Sequence, residues 1–378
     1  MAERQLKILF LSDANSAHSR KWILSLANHD YLIGLFSLSK LANRWFSGNK
    51  NIQFLSDGLG FETVGGDVEK LKYIRALPKL KKAIKSFQPD ILHAHYATSY
   101  GLLGALTGFH PFIVSVWGSD IYDFPKKSFL HRFILKRNLK RSDCVLSTSQ
   151  SMALETTKYT KKKIHTTPFG IEIEKFKPQR IKSLFNEGDI VIGTIKALEP
   201  KYGINYLISA FDKLCKRHPS LPLRLIIVGK GSEESSLKAH CQLYGIEDKV
   251  KFTGWIEPED IPIYHNMIDV FVALSVSESE SFGVAAIEAE ACAKPVVVSD
   301  VSGFKEVVEE GVTGIIVPKC DSTAAANAIE KLVLDPLLRR SMGEAGRKRV
   351  EKLYNWDLNF RDIMSIYDDV IDRHKGFN

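Results

Sequence analysis

The sequence predicts an α/β protein made of two doubly wound domains, and three observations carry that expectation. Eleven short apolar or β-branched runs alternate with helical patterns along the chain. Most of these runs are apolar nearly throughout, as strands covered by helices on both faces require, rather than alternating apolar with polar. The 378 residues also exceed what one hydrophobic core usually supports, so the strands are read as two sets.

In order, the first set is "KILFLS", "YLIGLFSL", "DILHAH", "FIVSVWG" and "CVLSTS". The second is "IVIGTI", "LRLIIVG", "KVKFTGW", "DVFVALS", "PVVVSD" and "GIIVP". Between them, "IHTTPFGIEIEKFKPQRIKSLFNEGD" loses periodicity and gathers proline and charge, which places a linker near residues 170–188. The domains are therefore drawn at 1–172 and 173–356, and "WDLNFRDIMSIYDDVIDRH" closes the chain as an amphipathic helix with no strand after it.

Composition is that of a globular protein, 44% hydrophobic and 25% charged, with no apolar run long enough to span a bilayer. The opening "MAERQLKILFLSD" lacks the apolar core and cleavage site of a signal peptide, so a cytoplasmic location is expected. Five cysteines stand singly and without a C-x-x-C pair, which suggests neither zinc nor a disulfide framework. Charge is uneven. Residues 1–182 hold 29 basic against 14 acidic side chains, net +15, leaving 23 against 30, net −7, for the remainder.

Ligands of open α/β sheets bind beyond the carboxyl ends of the strands, where helix N-termini expose unpaired N–H groups. Four loops of the second domain draw attention. In "SESESFGVAAIEAEACAKPVVVSD", Glu280 precedes a helix opened by Phe282-Gly283, and Glu288 lies inside that helix. The backbone N–H groups of Ser281, Phe282, Gly283 and Val284 suit a pyrophosphate, with Gly283 permitting close approach. Two carboxylates beside such a site would repel it, so they are read as acceptors for neutral hydroxyls of a sugar and a ribose. "GTIKALEPKYG" supplies Lys196 and Lys201 as countercharge for a diphosphate leaving group. "VGKGSEESSL" sets Gly229 and Lys230 in a glycine turn between strand and helix, and Trp255 and Ile256 of "FTGWIEPEDIP" are placed beside a base. In the first domain, strand ends bring forward His95, Trp117, Ser119 and Asp120, while His18 starts a helix after the first strand.

These stretches resemble the E-x7-E signature, basic motif, interdomain segment ("PFGIEIEKFKP") and C-terminus ("GVTGIIVP" with a helical tail) of the retaining glycosyltransferases of family four. The resemblance implies the GT-B fold: two facing Rossmann-like doubly wound domains with a cleft between them, the C-terminal helix of about residues 357–378 packing back on the first. It also implies roles. Glu280 would contact donor-sugar hydroxyls, Glu288 the ribose, Lys196 and Lys201 the diphosphate, and the backbone at Phe282 to Val284 the phosphates and sugar. Asp120 would stand beside the reacting sugar and His95 would position the acceptor, with Trp117, Ser119 and His18 near it. The sequence departs from the family in having Lys196 for a common arginine, Tyr202 before Gly203, Ser281 after the first Glu, and no paired glycines in "SDANSAHSRKW".

The expected activity is transfer of a hexosyl or N-acetylhexosaminyl group from a nucleotide-diphosphate sugar, UDP-linked in preference to GDP-linked, to a glycan or lipid-linked acceptor of a bacterial surface polysaccharide or lipopolysaccharide. No D-x-D element ends a strand, so neither metal nor cofactor is implied. A nucleotide-sugar epimerase and a catalytically silent partner subunit are the alternatives. The second of these would be expected to lose the carboxylates and lysines that this chain keeps. The basic segments "EKLKYIRALPKLKKAIKSF" and "PKKSFLHRFILKRNLKR" mix cations with apolar residues at near-helical spacing, so an anionic membrane surface on the inner face of the cell membrane is weighed as a partner against two ordinary covering helices. No nucleic-acid recognition pattern is present.

Overall fold

In the computed structural model, residues 5–56 and 71–376 are described. Residues 1–4 of the opening segment, and Glu69 and Lys70 of the first basic segment, lie outside them. The chain divides into two compact units, Met1–Thr167 with Arg361–Asn378, and Pro168–Phe360.

The first unit is a parallel sheet of β1 (Lys7–Leu11), β2 (Leu32–Phe36), β3 (Ile52–Phe54), β4 (Ile91–His95), β5 (Phe112–Val116), β6 (Cys144–Ser147) and β7 (Ile164–Thr166) in the order β3-β2-β1-β4-β5-β6-β7. Every residue of β4, β5 and β6 is buried, which is why these runs read as continuously apolar. Helices cover the sheet and begin at caps. Ser16, Ser128 and Ser149 each accept a first-turn N–H, from Ser19, His131 and Met152, an arrangement worth about 1 kcal/mol apiece. Helix Trp356–Lys375 runs from the second unit into the first, where the buried Tyr367 hydroxyl meets His93 Nδ1 at 2.7 Å.

The second unit has six parallel strands, β8 (Ile190–Ile195), β9 (Leu223–Val228), β10 (Val250–Gly254), β11 (Val270–Ala273), β12 (Val296–Ser299) and β13 (Gly314–Val317), ordered β10-β9-β8-β11-β12-β13. Its core joins Ile192, Leu225, Ile227, Val270, Val272 and Val297 of the sheet to Leu207, Ile208, Phe211 and Leu214 of helix Ile204–Arg217. In both sheets the order reverses once, between β1 and β4 and between β8 and β11. Loops diverge there and leave a crevice at the carboxyl edge.

All eleven runs quoted from the sequence contain a strand. Two further strands, Ile52–Phe54 and Ile164–Thr166, are edge strands of three residues each with no fully buried position. The second lies just before the linker expected near residues 170–188, and its "IHT" pairs in parallel with Val145 to Ser147. Four cysteines are buried, Cys320 is exposed, and all five are free. Among the described residues no helix is long and apolar enough to cross a membrane.

Candidate active site

In the second unit the site is assembled where β8 and β11 lie side by side. Lys196 leaves the end of β8, and its Nζ stands 2.6 Å from Glu280 Oε2 in the loop after β11. The Ser275 hydroxyl donates to the same oxygen at 3.2 Å. Only 21% of the Lys196 side chain and 8% of that of Glu280 is exposed, so the pair is weakly screened. Burial opposes the charge on Lys196, yet Glu280, Tyr202 and Glu288 outweigh it and hold the ammonium above the ordinary lysine value. Both carboxylates of the E-x7-E spacing therefore act on one lysine.

Lys201 belongs to the short turn Pro200–Tyr202. Its ammonium is 4.9 Å from the centre of the Tyr202 ring, and that of Lys196 is 4.6 Å from the same centre. The residue that interrupts the family's lysine-glycine pair is thus a shared aromatic support for both cations. Tyr202 is also half-buried against the core of the unit.

Gly283 is the N-cap of helix Val284–Ala291, in a left-handed conformation (φ 84°) and with no side-chain cap. A Cβ there would lie 2.6 Å from the Phe304 ring, so packing as well as conformation demands glycine. The cap offers no side-chain acceptor to the first-turn N–H groups of the helix. Ser281 and the Phe282 side chain are buried, the latter between Phe169 and Tyr354, which leaves the Phe282 backbone as its means of meeting a ligand. Glu288, on the same helix, receives His265 Nε2 at 3.3 Å. His265 is wholly buried in helix Ile261–Met267, and no sequence signal singled it out. Glu278 anchors the loop from outside. Partial burial works against its charge, but Lys319 at 2.6 Å and the Ser302 N–H and hydroxyl hold its carboxyl down to about 2.

The turn after β9 is stitched to that after β8 by Leu198 N–H donating to the Lys230 carbonyl at 2.9 Å. Gly229 has φ 136°, and a Cβ on it would fall 1.9 Å from the Lys196 carbonyl oxygen. This glycine is thus required by the approach of two backbones, where the sequence pattern suggested approach of a nucleotide. Lys230 is exposed, Trp255 is 64% exposed after β10, and Ile256 is half-buried beside it.

The first unit gathers His18, His95 and Trp117 at its own switch point. Trp117 lies over His95 with centroids 4.3 Å apart and meets the His18 ring edge-on at 6.1 Å. His95 Nδ1 is 2.8 Å from Ser12 Oγ, while its Nε2 is buried without a partner. Burial, then His93 and His18, push its pKa well below the usual histidine value, so the ring is neutral. Ser119 is exposed at the start of the following turn. Asp120 stands next in the same turn. It is buried and accepts the N–H groups of Ala97, Trp117 and Gly118 at 2.8, 3.1 and 2.9 Å. Burial raises its pKa and those donors pull it back. Its geometry is that of a residue fixing two loops. Among the described residues no group of three or more His, Cys, Asp or Glu is gathered as a metal site requires.

Comparison with known proteins bears directly on this arrangement. The family model for glycosyl transferases group 1 matches residues 175–349, and that for glycosyl transferase 4-like proteins matches residues 7–149. Together these spans take in 318 of the 378 residues. The chain belongs to the group 1 glycosyltransferases. This group 1 glycosyltransferase is 28% identical over 301 residues to N-acetyl-alpha-D-glucosaminyl L-malate synthase of Bacillus anthracis, across 75% of each chain. Its fold matches sucrose-phosphate synthase from Thermosynechococcus elongatus at a TM-score of 0.83 and 22% identity, covering 98% of this chain and 100% of the other. Anabaena HepE, in complex with UDP-glucose, matches at 0.79 and 18%, covering 97% and 100%. The two Rossmann-like units are those of the GT-B fold, and the protein is a transferase enzyme.

Proposed function

We propose that this enzyme is a retaining transferase that moves a hexosyl or N-acetylhexosaminyl group from a nucleotide-diphosphate sugar to a glycan or lipid-linked acceptor in surface polysaccharide synthesis. The observation that carries the reading is the buried Lys196–Glu280 pair at the β8–β11 switch point, with Glu288 adding its charge from the helix that follows. Lys196, Lys201 and the N-terminus of helix Val284–Ala291 take the diphosphate, Glu280 the sugar hydroxyls and Glu288 the ribose. Lys230, Trp255 and Ile256 border the base, and His95, Trp117, Ser119 and His18 serve the acceptor. A UDP-sugar is favoured over a GDP-sugar. The UDP-glucose held by Anabaena HepE and the N-acetylglucosaminyl group in the name of the Bacillus anthracis relative support that preference.

Charge develops on the diphosphate as the anomeric C–O bond breaks, and preorganised cations are where the rate gain originates. On the same face the acceptor oxygen bonds to the anomeric carbon, and its proton passes to the departing phosphate oxygen. No separate protein base is needed, which agrees with the satisfied state of Asp120.

Thermal unfolding with UDP, GDP and ADP tests the donor assignment, since ligand at a hundred times Kd stabilises by about 2.7 kcal/mol. UDP is expected to act most strongly. Lys201→Ala should lower kcat by about 10²–10³, and Glu288→Ala should weaken UDP binding. Stabilisation by none of the three, or both variants behaving as wild type, removes the donor site. Inversion at the anomeric carbon, read by NMR of the product, removes retention.

A further inference from the structure

The two basic segments that look alike in sequence separate in the structure. Helix Leu77–Phe87 turns Leu80, Ala83 and Phe87 into the core of the first unit, so it is an ordinary covering helix with lysines outside. Helix Phe129–Arg141 buries only Leu135, Asn138 and Leu139. It leaves Phe129 84%, Leu130 59% and Phe133 54% exposed. At 3.6 residues per turn these three share about 100° of arc on the side away from the buried residues, and Lys136, Arg137 and Lys140 continue the same arc. The tip is held in place. The Ser128 hydroxyl accepts the His131 N–H at 3.4 Å, and the His131 ring meets Phe124 at 4.7 Å.

Between Asp123 and Asp143 the charge has one sign. From Phe124 to Ser142 the chain carries Lys126, Lys127, Arg132, Lys136, Arg137, Lys140 and Arg141, with no Asp or Glu. An apolar tip flanked by cations matches the boundary of an anionic bilayer, where rings enter the acyl region and ammonium and guanidinium groups meet headgroup phosphates. We propose that helix Phe129–Arg141 docks the first unit onto an anionic lipid surface, with Phe129, Leu130 and Phe133 inserted. A second copy of the chain fits poorly, because a two-fold contact would set these cations against themselves without a compensating acid. Nucleic acid would use the cations and leave the three apolar side chains in water. The inference does not depend on the donor assignment, and its test involves no glycosyl transfer.

Flotation of the full chain with phosphatidylcholine vesicles, alone or with about 30 mol % phosphatidylglycerol, provides that test. Binding is expected only with phosphatidylglycerol, strong at about 50 mM salt and weak at about 500 mM, where the screening length shrinks several-fold. Replacing Phe129, Leu130 and Phe133 together by Ser should lower the partition by about 100-fold or more while leaving circular dichroism and the melting temperature unchanged. Replacing Lys136, Arg137, Lys140 and Arg141 by Glu should remove the dependence on anionic lipid. Three outcomes overturn the proposal. Wild type ignores anionic vesicles at low salt, the apolar triple variant binds them as wild type does, or the helix instead holds a dimer that the triple variant disperses.

Discussion

Glu290, two residues beyond Glu288 on the signature helix, provides the sharpest physical test of how that helix is seated. Its side chain is completely buried, its Cγ is 3.0 Å from where a Cβ on Gly346 would stand, and neither carboxyl oxygen has a hydrogen-bond partner. Burial raises its pKa to about 8, with Thr313 and the Arg349 charge pulling only weakly the other way. The unfolded value is near 4.5. The folded state therefore binds the extra proton, and stability is fully present below about 4.5 and falls as pH rises towards 8. Glu290→Gln removes this titration with little change of shape. From these two pKa values, the variant should gain less than about 1 kcal/mol over wild type at pH 5 and about 3 kcal/mol at pH 7. For a unit of this size that gain corresponds to roughly 6–12 °C in Tm. Scanning calorimetry of both proteins from pH 5 to 8 reads it, in the transition of the second unit. Tm curves that stay parallel across that range would refute the reasoning.

Two further substitutions bear on the lysine loop. Gly229→Ala puts a Cβ 1.9 Å from the Lys196 carbonyl at φ 136°. It should cost about 3 kcal/mol or more and weaken UDP binding, so unchanged calorimetric stability and affinity would show that the close approach is dispensable. Tyr202→Leu keeps an apolar contact with the core but removes the ring beneath both ammonium groups. Losing two cation–π contacts of about 0.5–1 kcal/mol each predicts UDP affinity roughly 5–30-fold lower by titration calorimetry, and a change under twofold would dismiss the shared support.

Most of the sheet was legible because buried parallel strands leave continuous apolar runs, as "DVFVALS" and "PVVVSD" do. The strands at Ile52 and Ile164 were not, since three half-exposed residues at a sheet edge carry neither length nor pattern. Within the site, residue types and spacing pointed to Glu280, Glu288, Lys196 and Lys201, but not to who pairs with whom. The Lys196–Glu280 contact spans 84 residues and arises from β8 lying beside β11, a matter of topology. Tyr202 read as an interruption, because sequence does not show a ring lying under two cations. The backbone donors that Asp120 accepts come from two separate loops, one of them at Ala97, and its own neighbours in the sequence do not reveal them. The two basic helices shared a composition, and only burial told which had used its apolar face.

The Lys196–Glu280 pair has a consequence for turnover. The lysine is already partnered, so on the donor assignment proposed above an arriving diphosphate would not meet a vacant cation but would displace a carboxylate. An intact donor offers sugar hydroxyls to the released Glu280, and the exchange leaves no charge stranded. A spent nucleoside diphosphate draws on Lys196 in the same way and returns nothing to Glu280, whose carboxylate then reclaims the lysine. On that assignment the site would distinguish a loaded carrier from an empty one, and the carboxylate proposed to hold the sugar before transfer would compete with the nucleotide for Lys196 afterwards.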